Sequence, residues 1–208
     1  ARIAADAAGA TKMDRPEWIT VHPHSGEVYV SLTNNVKRGT NGAAGTDPAN
    51  PRANNVYGHI LRWREAHGDA ASHDFEWDIF AQGGDPAQND PAKRGTVKGD
   101  AYGSPDGLWF DADGRLWIET DYDDDVPAMQ AMGCNQLLCA DPHSREVRRF
   151  LVGPRGCELT GITQSPDGRT MWVNIQHPSL SFPASDGQSI PRSTTMVITK
   201  DDGGVIGT

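Results

Sequence analysis

The sequence predicts an all-β protein built of antiparallel four-stranded blades, about three blades of a β-propeller. Three observations predict it. A strand–turn–strand pattern recurs three times along the 208 residues. Further β-prone runs follow each copy. Gly and Pro are frequent, at 23 and 14 residues, which suits many short strands and tight turns better than a helical bundle. Self-similarity of this kind is the signature of propellers and solenoids.

The first copy starts at Glu17-Trp18-Ile19-Thr20-Val21, turns through His22-Pro23-His24-Ser25-Gly26 and returns as Val28-Tyr29-Val30. The second starts at Asp106-Gly107-Leu108-Trp109-Phe110, turns through Asp111-Ala112-Asp113-Gly114 and returns as Leu116-Trp117-Ile118. The third starts at Thr160-Gly161-Ile162-Thr163-Gln164, turns through Ser165-Pro166-Asp167-Gly168 and returns as Met171-Trp172-Val173. Each turn is rich in the residues that supply hairpin backbone angles. Strand pairs over 55–63 and 74–80, then 135–141 and 146–151, complete the first two blades. The third blade adds only 194–199 before a Gly-rich end, so it is expected to be incomplete.

The whole of 1–208 reads as one partial propeller domain, with 1–12 as a linker or helix. Two polar stretches, 36–53 and 83–103, interrupt the blade rhythm as inserted loops. Loops of this length are usually functional or disordered. Propellers close with roughly four to eight blades. Three blades alone leave exposed edges. The remaining blades are therefore expected from a longer chain or from another copy, as in a homo-oligomer. No initiator Met or signal peptide opens the sequence, which reads as a piece of a longer protein.

The net charge of −9 argues against nucleic acid as a partner and fits a site that takes up cations. No apolar run is long enough for a membrane span. Cys134, Cys139 and Cys157 match no zinc or redox spacing and read as small, partly buried residues.

Glu17 precedes a strand, Asp106 holds the matching place in the second copy, and Glu158 lies two residues ahead of that place in the third. In a radial arrangement of blades such positions converge near the axis. Carboxylates with amide neighbours make a site for a hard cation such as calcium, and iron(III) or manganese would also accept them. Asp106 and Asp167 can instead cap turns, since Pro-Asp-Gly is ordinary turn chemistry. Asn34 and Asn54, with their neighbours Asn35 and Asn55, either serve turns or offer side-chain oxygens. Asp121 ends a strand ahead of an acidic run and is the better ligand within it. Arg52 and Arg155 are the cations expected to face an anionic substrate, or else to form surface salt bridges. His177 reads as a ligand, a proton donor or a plain turn residue.

The runs Met13-Asp14-Arg15-Pro16-Glu17-Trp18, Leu32-Thr33-Asn34-Asn35 and Asn50-Pro51-Arg52-Ala53-Asn54-Asn55-Val56-Tyr57-Gly58-His59-Ile60 resemble the PhoX family of bacterial alkaline phosphatases. Ser104-Pro105-Asp106-Gly107-Leu108-Trp109, Gly153-Pro154-Arg155-Gly156-Cys157-Glu158 and Asn174-Ile175-Gln176-His177-Pro178 continue the resemblance in order. It spans nearly the whole chain and points to the C-terminal part of such a protein. The resemblance implies a six-bladed propeller, export through the twin-arginine pathway to a periplasmic or secreted location, and hydrolysis of phosphate monoesters by a centre of calcium and iron. It implies Glu17 and Glu158 as the foremost metal ligands, with Asn34, Asn54, Asp106 and Asp121 behind them. Without the N-terminal half, this stretch alone is expected to be inactive or nearly so. Two other readings compete: a calcium-binding propeller that catalyses nothing, and a metal-dependent hydrolase of the gluconolactonase type.

Overall fold

Alternation of apolar and polar residues at period two draws each repeat into a hairpin. The computed structural model describes residues 1–123 and 125–208. The first sheet is antiparallel, with β1 (Pro16–Val21), β2 (Val28–Leu32), β3 (His59–Glu65) and β4 (Phe75–Gln82) in sequential order. The second contains β5 (Lys98–Gly99), β6 (Pro105–Phe110), β7 (Leu116–Thr120), β8 (Gln136–Ala140) and β9 (Glu146–Val152), in the order β5-β9-β8-β7-β6. The third holds β10 (Glu158–Gln164), β11 (Thr170–Gln176) and β12 (Thr194–Thr199). A short helix, Arg2–Ala7, lies ahead of them with every residue exposed.

The second sheet sits between the other two. Tyr29, Ile60 and Phe80 of the first sheet meet Leu108, Ile118 and Leu138 of the second in one buried cluster. Trp117 and Leu137 face Leu159, Met171, Val173 and Ile175 of the third in another. Each fully buried Leu, Ile or Phe contributes about 1.5–3 kcal/mol of hydrophobic stabilisation. Tyr29 packs edge-on against both Phe80 and Phe110, with ring centroids 5.3 and 5.1 Å apart, which joins the two sheets.

The third sheet has three strands, as its sequence led us to expect. The second corrects the reading of 83–103 as a loop without strands. β5 pairs parallel with β9, and Val97 and Tyr102 beside it are buried in the first core. Their anchoring decides the outcome, because one pair of buried apolar side chains is enough to pin an otherwise polar segment.

The stretch 36–53 is organised by a buried polar network. Arg38 is 1% exposed and donates through Nε to Asp14 Oδ1 at 2.8 Å and through its terminal nitrogens to Gly45 O, Asp47 and Lys12 O. Asp14 also accepts from the side-chain amides of Asn35 and Asn55 at 2.9 and 3.0 Å. His59 completes the network. Its Nε2–H donates to Ala49 O at 2.7 Å, while Nδ1 accepts from Asn55 Nδ2 at 3.1 Å, which defines the neutral tautomer. Burial lowers the His59 pKa to about 4, and the nearby Arg52 and Arg38 charges add to the effect. A free histidine in the unfolded chain protonates near 6.5. Stability from His59 is therefore full above that pH and is lost as pH falls toward about 4. The stability gap between wild type and His59→Gln should narrow over this window in urea titrations.

Candidate metal centre

The three first strands lie side by side, with β6 packed against β1 on one flank and β10 on the other. Each carries a two-residue bulge at the same place. Glu17-Trp18 stand opposite Ser31, Asp106-Gly107 opposite Glu119, and Gly161-Ile162 opposite Val173. A bulge bends its strand and re-aims the side chains on it. The bulges confirm Glu17 and Asp106 as matching positions. They also correct the third copy: the matching residue is Gly161, so Glu158 lies three residues ahead of it. Glu158 reaches the site because β10 extends inward, paired with Gln176.

Asp106, Asp121 and Glu158 each place a carboxylate oxygen within 4.8 Å of the other two. Like charges at this separation repel by roughly 3–4 kcal/mol per pair at an effective dielectric near 20. Burial pushes the Asp106 pKa up to about 7, and the charges of Glu17, Asp121 and Glu158 push in the same direction. Burial likewise raises Asp121 and Glu158. Glu17 is more exposed and stands within reach of the cluster's field. Its carboxylate accepts from Arg15 at 3.4 Å. Such a set of hard oxygen donors, crowded and partly desolvated, fits a divalent or trivalent cation, whose charge would relieve the repulsion.

A cavity of about 240 Å³ adjoins the cluster, lined by Arg15, Asn34, Ser104, Asp121 and neighbouring residues. Arg15 bridges its rim, donating to Asn34 Oδ1 at 3.3 Å and standing 4.0 Å from Asp121. Asn34 passes a hydrogen bond on to Ser104 Oγ at 3.3 Å. On the other flank Glu158 accepts from Gln176 Nε2 at 2.6 Å and meets His177 Nε2 at 3.4 Å.

The structure thus brings Glu17, Asn34, Asp106, Asp121 and Glu158 to one place. Asn54 and Arg52 are corrected. Asn54 is an exposed turn residue at φ 47°, held through its backbone N–H by Arg38 O. Arg52 is buried and donates to the carbonyls of Gly83 and Gly58. The Gly83 carbonyl takes its donor from Arg52, and Gly58 O, which already accepts from the Gly83 N–H, gains a second, so the guanidinium is spent on the fold. Burial lowers its pKa to about 10. Arg155 is exposed on the loop before β10, where its carbonyl accepts from the Ser179 backbone and hydroxyl.

The family model for alkaline phosphatase PhoX matches residues 1–179. The chain belongs to the PhoX family. It is similar to the solved structure of Pseudomonas fluorescens PhoX in complex with vanadate, a transition state analogue, at 50% identity and a TM-score of 0.92. That likeness covers 99% of this chain and 37% of the other, so this chain spans little more than a third of that relative's length. A comparison with curated protein sequences found no match.

Arg15, Ser104 and Glu119 of this PhoX chain escaped the reading of candidate residues. One signal was present. Arg15-Pro16-Glu17 and Ser104-Pro105-Asp106 are the same motif, and Arg15 and Ser104 share positive φ values of 46° and 48°. His177, at 37° and also ahead of a proline, is the third such residue at the site. Each such backbone conformation costs on the order of 1–3 kcal/mol and marks a place where tertiary structure over-determines the chain.

Proposed function

We propose that this chain forms part of the metal centre of a PhoX phosphatase that hydrolyses phosphate monoesters. The observation that carries the reading is the meeting of Asp106, Asp121 and Glu158 within 4.8 Å, beside an arginine on the rim of an open cavity. The proposed ligand set is Glu17, Asp106, Asp121 and Glu158, with Asn34 as an amide oxygen donor. Calcium and iron are the proposed metals, since every donor is a hard oxygen. Bound cations would supply Lewis-acid polarisation of the phosphoryl group.

The chain's own residues then do three things. The carboxylates fix the charge and spacing of the cation site. Arg15 replaces the predicted Arg52 as the guanidinium positioned to grip phosphoryl oxygens, while its bonds to Glu17 and Asn34 hold it in place. The buried Asp106 and half-buried Asp121 and Glu158 keep the carboxylate side of the site away from bulk water, which strengthens its pull on a cation.

The side-by-side packing of β1, β6 and β10 supports a propeller whose axis runs past these carboxylates. Six blades are proposed, the rest coming from a further segment of a longer protein rather than from a second copy. The relative's greater length supports that choice. A periplasmic or secreted location follows from the family resemblance. No helix among the described residues is long and apolar enough to cross a membrane.

The test is turnover of p-nitrophenyl phosphate by the full-length protein. Turnover should require calcium, stop on chelation and return when calcium is restored. A folded, calcium-loaded protein that leaves the ester intact would overturn the reading.

A further inference from the structure

Register sets one residue of each second strand opposite the bulge of the first: Ser31, Glu119 and Val173. Ser31 is fully buried and acts on two sheets at once. Its Oγ accepts from the Trp18 N–H, in the bulge of its own sheet, at 3.0 Å. It donates to the Asp106 carbonyl, in the bulge of the next sheet, at 2.6 Å. Glu119 holds the same place one sheet further on and is also fully buried. On one side, a Cβ added to the bulge residue Gly107 would lie 2.1 Å from Glu119 Oε2, so only glycine admits the carboxyl there. On the other side β7 packs against β10; burial raises the Glu119 pKa to about 8, and the N–H groups of Ile162 and Gly161, in the bulge of β10, offset part of that rise. Even so, neither carboxyl oxygen completes a hydrogen bond among the described residues.

We propose that Ser31 and Glu119 are positioning residues: each reaches through the bulge of one sheet to the bulge of the next and thereby sets the spacing of Glu17, Asp106 and Glu158. The inference rests on the metal-centre reading. The three carboxylates come from three different sheets and repel one another, so nothing in their own strands fixes their separation. A link between bulges does, because the bulges carry or adjoin the ligands. Val173 offers no polar atom for such a link, so both links meet at the second sheet, on either side of Asp106.

The probe is calcium alone, titrated calorimetrically into the full-length protein. Partners that orient metal ligands typically change affinity by about 10–100-fold, and Ser31→Ala should weaken calcium binding by that amount. Ser31→Thr, which keeps the hydroxyl, should restore most of it. Glu119→Leu should weaken calcium binding while leaving Tm unchanged or raised, because it removes a buried carboxyl without hydrogen bonds. A merely structural residue would lower both together. Calcium affinity unchanged in both Ser31→Ala and Glu119→Leu would overturn the proposal. Should the wild type bind no calcium, the metal-centre reading falls, and crystal structures decide the links separately. A Glu17–Asp106 separation wider in Ser31→Ala than in wild type would support them, and an identical one would overturn them.

Discussion

Glu158→Gln and Asp106→Asn are each expected to reduce phosphate monoester turnover by roughly 10³-fold, the rate equivalent of the several kcal/mol that a bound cation contributes. Both substitutions keep size and remove one negative charge. In the wild type, that charge is held in place against burial and against its neighbours, which raise Asp106 to about 7. A cation is the natural counterweight, and an amide in place of either carboxylate weakens it. Arg15→Ala should cost about 10²–10³-fold in kcat, the usual loss for one preorganised donor at developing charge. Arg15→Lys should recover only part, since a point charge cannot form the paired contacts of a guanidinium. Arg155→Ala, on the exposed loop before β10, is the control and should leave kcat nearly unchanged. Steady-state kinetics with saturating calcium would measure all five. An Arg155→Ala variant as damaged as Arg15→Ala would return the role to the loop.

The sheets were legible because period-two alternation and Gly-bearing turns are local signals, and each repeat carried both. Register was less so. The bulge at Glu17-Trp18 and its two counterparts depend on pairing with a neighbouring strand, and the third copy was therefore misplaced by one residue. Asp106, Asp121 and Glu158 could be read because carboxylates at strand ends have few other uses. Arg15 could not, because residues before proline normally take extended backbone, whereas here tertiary contacts hold it at φ 46°. Arg52 failed for a different reason. An arginine beside an asparagine-rich loop resembles a substrate clamp, and only the fold reveals that two backbone carbonyls take its protons. Glu119 was hidden by the architecture. Alternation makes it the opposite face from Thr120, yet both faces of β7 are covered, so every residue of that strand is buried.

Asp14→Ala is expected to destabilise the protein by about 3–5 kcal/mol, the range for removing one partner of a buried ion pair. Arg38 would remain 1% exposed, with Asp47, itself partly exposed, as its one remaining carboxylate. The side-chain amides of Asn35 and Asn55 would each lose an acceptor as well, Asn55 keeping only His59 Nδ1. Urea denaturation should show the loss, and the stretch 36–53 should become the first site of proteolysis, because Arg38 is what ties it down. The pair itself need not be stabilising. Its desolvation cost is large, and an apolar replacement of both partners avoids it. Asp14→Leu combined with Arg38→Met should therefore be more stable than Asp14→Ala alone. Its activity should still be low, because Asp14 adjoins Arg15, which holds a left-handed backbone conformation at φ 46°. If the double variant were instead as unstable as the single, anchoring of 36–53 through Gly45 and Lys12 would outweigh the buried charge.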